Sequence, residues 1–507
     1  MRNLLKLLFQ RVGIVSLSLL LQIGVMMLLA FRFSEYLPWY QATAGIIALL
    51  LTLVIVSKPG DPAYKIAWII PILAVPVFGV TLYLMFGGHH LGRRLRKSLR
   101  LADRTMLENL RQDRTILDRL ELENASAAAQ AHYLTSKALC PIYVRTKSEY
   151  FPLGELCYRR MMEDIQQAEQ YIYLEYFIIQ RGKMWDAMLD LLHEKAQAGV
   201  DVRVVYDDFG CITKLPSGYY KQLERLGIRS RPFNPFVPVV SPLLNNRDHR
   251  KLLIVDGRVG YTGGINLADE YINETHPFGH WKDCGLRLEG DAVFSMTIMF
   301  RAMWNLIRKD AEPVPLPPAT ELGAGCGYVQ PFTDCPLDSE NVSETVFFNM
   351  ISRARKSVYI MTPYLILDTT MRAVLCAAAK SGIDVRIITP GIPDKKYVFA
   401  VTRANYDELL EAGVRIYEYT PGFIHSKVVC VDLESAVVGT VNMDFRSLYL
   451  HYEDGVYLYN ADAIAQVAED FTDTLPLCRE VRLQEHRERG LLTRIVEMLL
   501  RVFSPLM

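Results

Sequence analysis

His249, Lys251, Asp256, Gly263 and Asn266 are matched, at one constant separation, by His425, Lys427, Asp432, Gly439 and Asn442. A single H-x-K-x4-D phrase is weak evidence. Two phrases in register, each followed by a matching Gly and Asn, point to a duplicated unit. Two histidines, two lysines and two asparagines meeting in one pocket suit a phosphodiester. The lysines and amides would hold the non-bridging oxygens as charge builds at phosphorus. One neutral imidazole can attack phosphorus. The other can give its proton to the departing alcohol and later deprotonate the incoming one. The protein supplies the positive charge, so neither a metal nor a cofactor is expected; H-E-x-x-H and paired C-x-x-C spacings do not occur.

The neighbouring residues extend the set. Gly264 and Thr440 stand two residues before the two asparagines; a glycine there lets backbone approach a ligand, and both positions join Asn266 and Asn442 as expected substrate contacts. Asp256 and Asp432 either touch substrate, with the catalytic histidines and lysines, or brace the local turn. Asp283 and Glu453 follow the Asn of each half and can accept a proton from the second ring nitrogen of a histidine, which would fix its tautomer.

The elements around these residues repeat as well. Residues 156–168 are amphipathic and lead to the apolar run 171–174, a helical stretch 185–198, Gly199 and a second run 200–206. In the other half, 346–354, 358–361, a helix to Lys380, Gly382 and 383–388 follow the same order. Strand, helix, strand at this spacing is a βαβ signal, hence two similar α/β domains forming one unit. The histidine phrases themselves, 249–255 and 425–431, read as strands, on which His and the Lys two residues later share a face. The prolines in 312–318 mark a linker.

Three uncharged apolar runs, about 13–31, 42–57 and 66–88, are near the length that crosses ~30 Å of hydrocarbon as a helix. They are expected as N-terminal transmembrane helices. The first also fits a signal peptide, since Arg2, Lys6 and Arg11 precede it, but two more runs follow it. The two membrane orientations place near-equal sets of basic residues inside, so flanking charge alone does not separate them. The densest basic cluster, 93–100, favours a cytoplasmic catalytic part, against anionic headgroups. Residues 491–503 combine an apolar face with basic residues, as an interfacial helix or one packed on the protein. Lys plus Arg and Asp plus Glu are both 56, so no polyanionic partner is advertised and nucleic acid is not expected. Nine scattered cysteines, an odd number, read as reduced thiols.

The paired H-x-K-x4-D phrases resemble the phospholipase D superfamily. Asn246 to Gly257, Tyr261 to Asn266, His280-Trp281-Lys282-Asp283 with Glu289-Gly290, and Gly439 to Ser447 with Glu453 are similar to motifs of its bacterial cardiolipin synthases. Residues 61–68 and 76–79 resemble that family's hydrophobic segments; the run 13–31 is additional. The resemblance implies transfer of a phosphatidyl group between two phosphatidylglycerol molecules, giving cardiolipin and glycerol, at a bacterial plasma membrane. It implies His249 as nucleophile and His425 as acid/base, or the reverse. Lys251, Lys427, Asn266 and Asn442 would cradle phosphate, with Asp283 orienting His249 and Glu453 orienting His425. The expected organisation is membrane segments over 1–90, a basic linker helix over 91–135, phospholipase D-like domains over 136–311 and 321–475, a Pro-rich linker at 312–320 and an amphipathic tail over 476–507.

Overall fold

The computed structural model describes residues 20–32 except 22, 26 and 30, then 38–87, 93–235, 245–309, 312–315, 325–338 and 340–506. Two mixed sheets dominate it. In the first, strand Tyr171–Tyr176 pairs in parallel with Asp201–Asp207, which pairs with Arg229–Phe233; on its other side lie, antiparallel, Lys251–Val255, Val259–Gly263, Gly285–Gly290 and Thr146–Phe151. The second sheet repeats the order. Ser357–Met361 pairs in parallel with Asp384–Pro390 and then Arg415–Tyr419, and on the other side come Val428–Val431, Ser435–Gly439, His451–Tyr459 and Tyr328–Asp334.

Strand alternation explains why both faces are buried. Ile172, Leu174, Leu253 and Val255 face helices Gly154–Gln166 and Lys183–Gln197 through Met161, Trp185 and Leu192. Tyr171, Tyr173, Leu252 and Ile254 point the other way, into a core shared with Val428, Cys430, Val438 and Val456 of the second sheet. Helices Val293–Arg308 and Ala463–Thr474 contribute Phe300, Trp304, Val467 and Phe471 to that shared core. The halves are therefore one packed body. Glu312 of the linker adds to this: it pairs with Arg203 at 2.6 Å, Arg229 at 2.7 Å and Arg308 at 3.1 Å. Burial alone would raise its carboxyl, but Arg203, Trp304 and Arg229 bring it down to about 2.

The N-terminal part departs from expectation. The run 13–31 lies in large part outside the described residues. The run 42–57 falls within helix Pro38–Ser57. The run 66–88 is not one helix: Pro62–Ala74 ends at Val75, Pro76–Leu82 restarts, and a π turn Tyr83–Gly87 follows. Proline at 76 keeps Val75 out of the helical region, at φ −137° and ψ 80°. The second helix then folds back so closely that a Cβ on Gly79 would sit 2.2 Å from the Pro71 carbonyl oxygen. No helix among the described residues is long and apolar enough to cross a membrane. Helix Pro38–Ser57 nevertheless leaves Ile46, Ile47, Leu49, Leu50, Leu53, Val54 and Val56 exposed. The linker expected as one helix is three, Arg93–Asn109, Arg114–Glu123 and Ala125–Lys137. Asp113 and Asn124 stop it, because each side chain accepts from the backbone N–H groups of the next helix. The terminal helix Leu491–Phe503 packs through Leu500 beside Val401 and Phe445, while Leu492, Met498 and Leu499 stay exposed.

Candidate active site

Each histidine phrase is preceded by a very short strand that pairs with the other half. Arg247–Asp248 pairs in parallel with His451–Tyr452, and Gly422–Ile424 pairs in parallel with His280–Lys282. The chain crosses between halves at the histidine. His249 N–H donates to the Tyr452 carbonyl at 2.9 Å, and His425 N–H donates to the Lys282 carbonyl at 2.7 Å. The regular strands begin only at Lys251 and Val428, so the histidines stand just before the strands they were expected to sit on. Each lysine instead folds back on its own phrase. Lys251 Nζ donates to the His249 carbonyl at 2.6 Å, and Lys427 Nζ donates to that of His425.

The crossing reverses the expected carboxylate pairing. His249 Nδ1 meets Glu453 Oε1 at 2.9 Å and Oε2 at 3.0 Å. His425 Nδ1 meets Asp283 Oδ2 at 2.7 Å. Asp283 therefore serves His425 and Glu453 serves His249, because each histidine is hydrogen-bonded beside the partner half's carboxylate. A carboxylate acceptor at Nδ1 keeps the proton there and leaves Nε2 to meet a substrate. Both carboxylates are held in turn. Thr440 Oγ1 donates to Glu453 Oε2 at 2.5 Å, and Cys284 N–H donates to Asp283 Oδ1 at 2.8 Å. A Cβ on Gly264 would lie 1.9 Å from Asp283 Oδ1, so only glycine fits there. Gly264 and Thr440, expected to contact substrate, thus make room for one carboxylate and bind the other.

Two further expectations change. Asp256 accepts backbone N–H bonds from Glu169, Gln170 and Tyr171, each at 2.8 Å. Asp432 does the same for Arg355, Lys356 and Ser357 at 2.7 to 2.9 Å. Both adopt the left-handed region, φ 52° and 56°, which Asp tolerates better than most residues. They brace the strand entry, with both carboxylates committed to backbone N–H groups. Replacing Asp256 with alanine should lower stability by about 1–2 kcal/mol and change kcat less than about tenfold, as kcat tracks groups meeting the reacting atoms. Denaturant unfolding beside a transfer assay checks this. Asn266 is also committed: its Oδ1 accepts from Ile178 N–H at 3.0 Å and its Nδ2 donates to the Tyr271 hydroxyl at 2.7 Å. Asn442 keeps a buried Oδ1 with no hydrogen-bond partner among the described residues, so of the two amides it is the one with a carbonyl oxygen to spare.

Electrostatics tie the two halves together. Burial first, then Lys251 and Lys427, hold the His249 imidazole well below its usual range, with His425 and Lys395 adding to the effect. His425 is lowered by burial, Lys427, Lys251 and Lys395. Each histidine thus responds to the other half's lysine, as groups sharing one pocket do. Burial brings Lys251 down to about 8 and Lys427 to about 7, and raises Asp283 to about 7. The histidines are only 7% exposed, which leaves little room for bulk water.

The walls contain residues that motif reading passed over. Tyr271 and Trp281 lie 5.4 Å from the His425 ring and Phe423 lies 5.8 Å from it. Phe177, at 5.1 Å, and His451, at 5.4 Å, flank His249. Trp281 and His451 stand two residues before Asp283 and Glu453, so strand periodicity offered a signal for both. Lys395 lies in a loop after strand Asp384–Pro390 and offered none.

Residues 161–277 and 347–475 match the family described as cardiolipin synthase, PLD-like domain, and residues 46–88 match the phospholipase D-nuclease N-terminal family. An uncharacterized protein of Streptococcus mutans is 42% identical over 90% of this chain and 99% of its own length. The cardiolipin synthase of Halalkalibacterium halodurans is 32% identical over 98% of this chain and 99% of its own. Cardiolipin synthase 2 of Bacillus anthracis is 34% identical over 91% and 90%. The crystal structure of phosphatidylserine synthase from Haemophilus influenzae is similar in fold, with a TM-score of 0.57 over 76% of this chain and 98% of that one at 16% identity.

Proposed function

Since the chain belongs to the phospholipase D-like cardiolipin synthase family, and is thereby a phosphatidyltransferase, we propose that it joins two phosphatidylglycerol molecules into cardiolipin with release of glycerol, through a covalent intermediate on His249. The carrying observation is the crossed bracing, which gives two imidazoles with Nδ1 engaged and the field of both lysines on each ring.

The anionic phosphodiester enters between Lys251 and Lys427. Its charge favours a proton on His425, whose Nδ1 already faces Asp283. His249 Nε2 then attacks phosphorus. As the phosphorus–oxygen bond to glycerol breaks, His425 gives its Nε2 proton to the departing oxygen. Neutral His425 next takes the proton from a hydroxyl of a second phosphatidylglycerol. That oxygen attacks phosphorus, the bond to His249 breaks, and cardiolipin leaves. The lysines stabilise the charge on the non-bridging oxygens in both steps. Burial of the histidines supports an alcohol acceptor over water.

The reading includes attachment to a bacterial plasma membrane with the catalytic part on its cytoplasmic face. The attachment is supported by the uncovered apolar face of helix Pro38–Ser57 and the exposed Leu492, Met498 and Leu499. Holding the site at the bilayer raises the effective concentration of lipid substrates without new contacts.

Purified protein supplied with labelled phosphatidylglycerol in vesicles should release cardiolipin and glycerol. Phosphatidic acid alone would make it a hydrolase, and cleaved oligonucleotides a nuclease. The lysines predict a pH effect. Their protonated forms hold phosphate, and these protons leave as pH rises through about 7 and about 8. The KM for phosphatidylglycerol should therefore climb toward alkaline pH. Initial rates in vesicles of constant composition measure it, and a flat KM would separate the lysines from the phosphate.

A further inference from the structure

His451 is a third buried histidine that the transfer does not use. It is 8% exposed, its Nδ1 lies 3.6 Å from Glu453 Oε1, and neither ring nitrogen has a hydrogen-bond partner among the described residues. An imidazole buried this deeply with no partner is costly and calls for a ligand. His249, His451 and Glu453 each offer a ligand atom, and the three atoms lie within 4.8 Å of one another. The equivalent position beside His425 holds Trp281, at the same 5.4 Å ring separation, so among the described residues this set stands beside His249 and has no counterpart beside His425.

We propose that His249, His451 and Glu453 bind a divalent transition cation of the zinc class, and that the bound cation blocks phosphatidyl transfer. Two imidazoles and a carboxylate are a known donor set for such ions, and small shifts bring them within coordination range. Lys251, Lys427, Lys395 and Arg446 face the same region and oppose a cation, and the Glu453 charge offsets them. Thr440 orients that carboxylate from behind.

The block follows from proton bookkeeping on one ring. Without metal, Nδ1–H points at Glu453 and Nε2 carries the lone pair. With metal on Nδ1, that proton leaves and the neutral ring carries its hydrogen on Nε2. No net proton is exchanged, but the nitrogen that must attack phosphorus no longer has a free pair. This second half rests on His249 being the nucleophile; the binding half does not.

Cobalt(II) titration of the full-length protein in detergent reports binding through visible d–d bands, and zinc(II) should erase them by displacement. The bands should be absent in His451→Ala and His451→Gln, with circular dichroism and residual transfer reporting that the variants fold. Half-inhibition of transfer by zinc should need at least about tenfold more metal in these variants. No bands in the wild type, or equal zinc sensitivity in the variants, overturns the site. Bands that appear without inhibition overturn the block, and with it the nucleophile assignment, while leaving the metal trio standing.

Discussion

Alanine at either His249 or His425 should lower phosphatidyl transfer by roughly 10⁴-fold or more, with the protein still folded. The two losses should be similar in size for phosphatidylglycerol, because the covalent and proton-transfer roles belong to one sequence of steps. They should part company on a phosphatidyl ester with an activated aryl leaving group. Such a group departs without protonation, so His425→Ala should regain the first step and release aryl alcohol once per site. His249→Ala should release none. Stopped-flow absorbance resolves the two, and a burst in His249→Ala would reverse the assignment.

Glu453→Gln and Asp283→Asn should each cost between about 10² and 10⁴ in kcat, by analogy with an orienting carboxylate whose amide leaves the ring in the wrong tautomer. The crossed pairing makes this sharper. Glu453 holds His249 and Asp283 holds His425. The aryl substrate should therefore restore a burst in Asp283→Asn and leave Glu453→Gln slow. A pairing within each half would give the opposite result. The two single substitutions thus report whether the crossing of the short strands operates in solution.

Much of the fold was readable in the chain. The repeated βαβ order of 171–206 and 358–388 corresponds to strands Tyr171–Tyr176 and Asp201–Asp207 and to Ser357–Met361 and Asp384–Pro390. Alternating apolar residues at constant register carry that information locally. The crossing did not show, because Arg247–Asp248 and Gly422–Ile424 are two and three residues long and pair with the distant half. Nothing local distinguishes such a strand from the start of a longer one. The same crossing moved the histidines off their expected strands and exchanged their carboxylates.

The site was legible in its residue types and less so in their roles. The histidines and lysines converge. Asp256 and Asp432 share the motif yet serve backbone N–H groups, since a motif spacing records what is needed for the fold as readily as what touches substrate. Gly264 and Thr440 occupy equivalent positions, and only the space around Asp283 explains why one must be glycine. In the N-terminal part, hydropathy indicated the apolar run 66–88, but the Val75–Pro76 restriction decided its shape.

The proposed transfer depends on two cross-braced histidines acting on one phosphorus, one of them covalently. His425→Ala, mixed with the activated aryl ester and quenched under denaturing alkaline conditions that preserve phosphohistidine, tests this directly, because the base that would clear the intermediate is gone. Mass spectrometry of the digest should find a phosphatidyl adduct on the peptide carrying His249. An unmodified His249 after release of aryl alcohol, or an adduct on another residue, would contradict it.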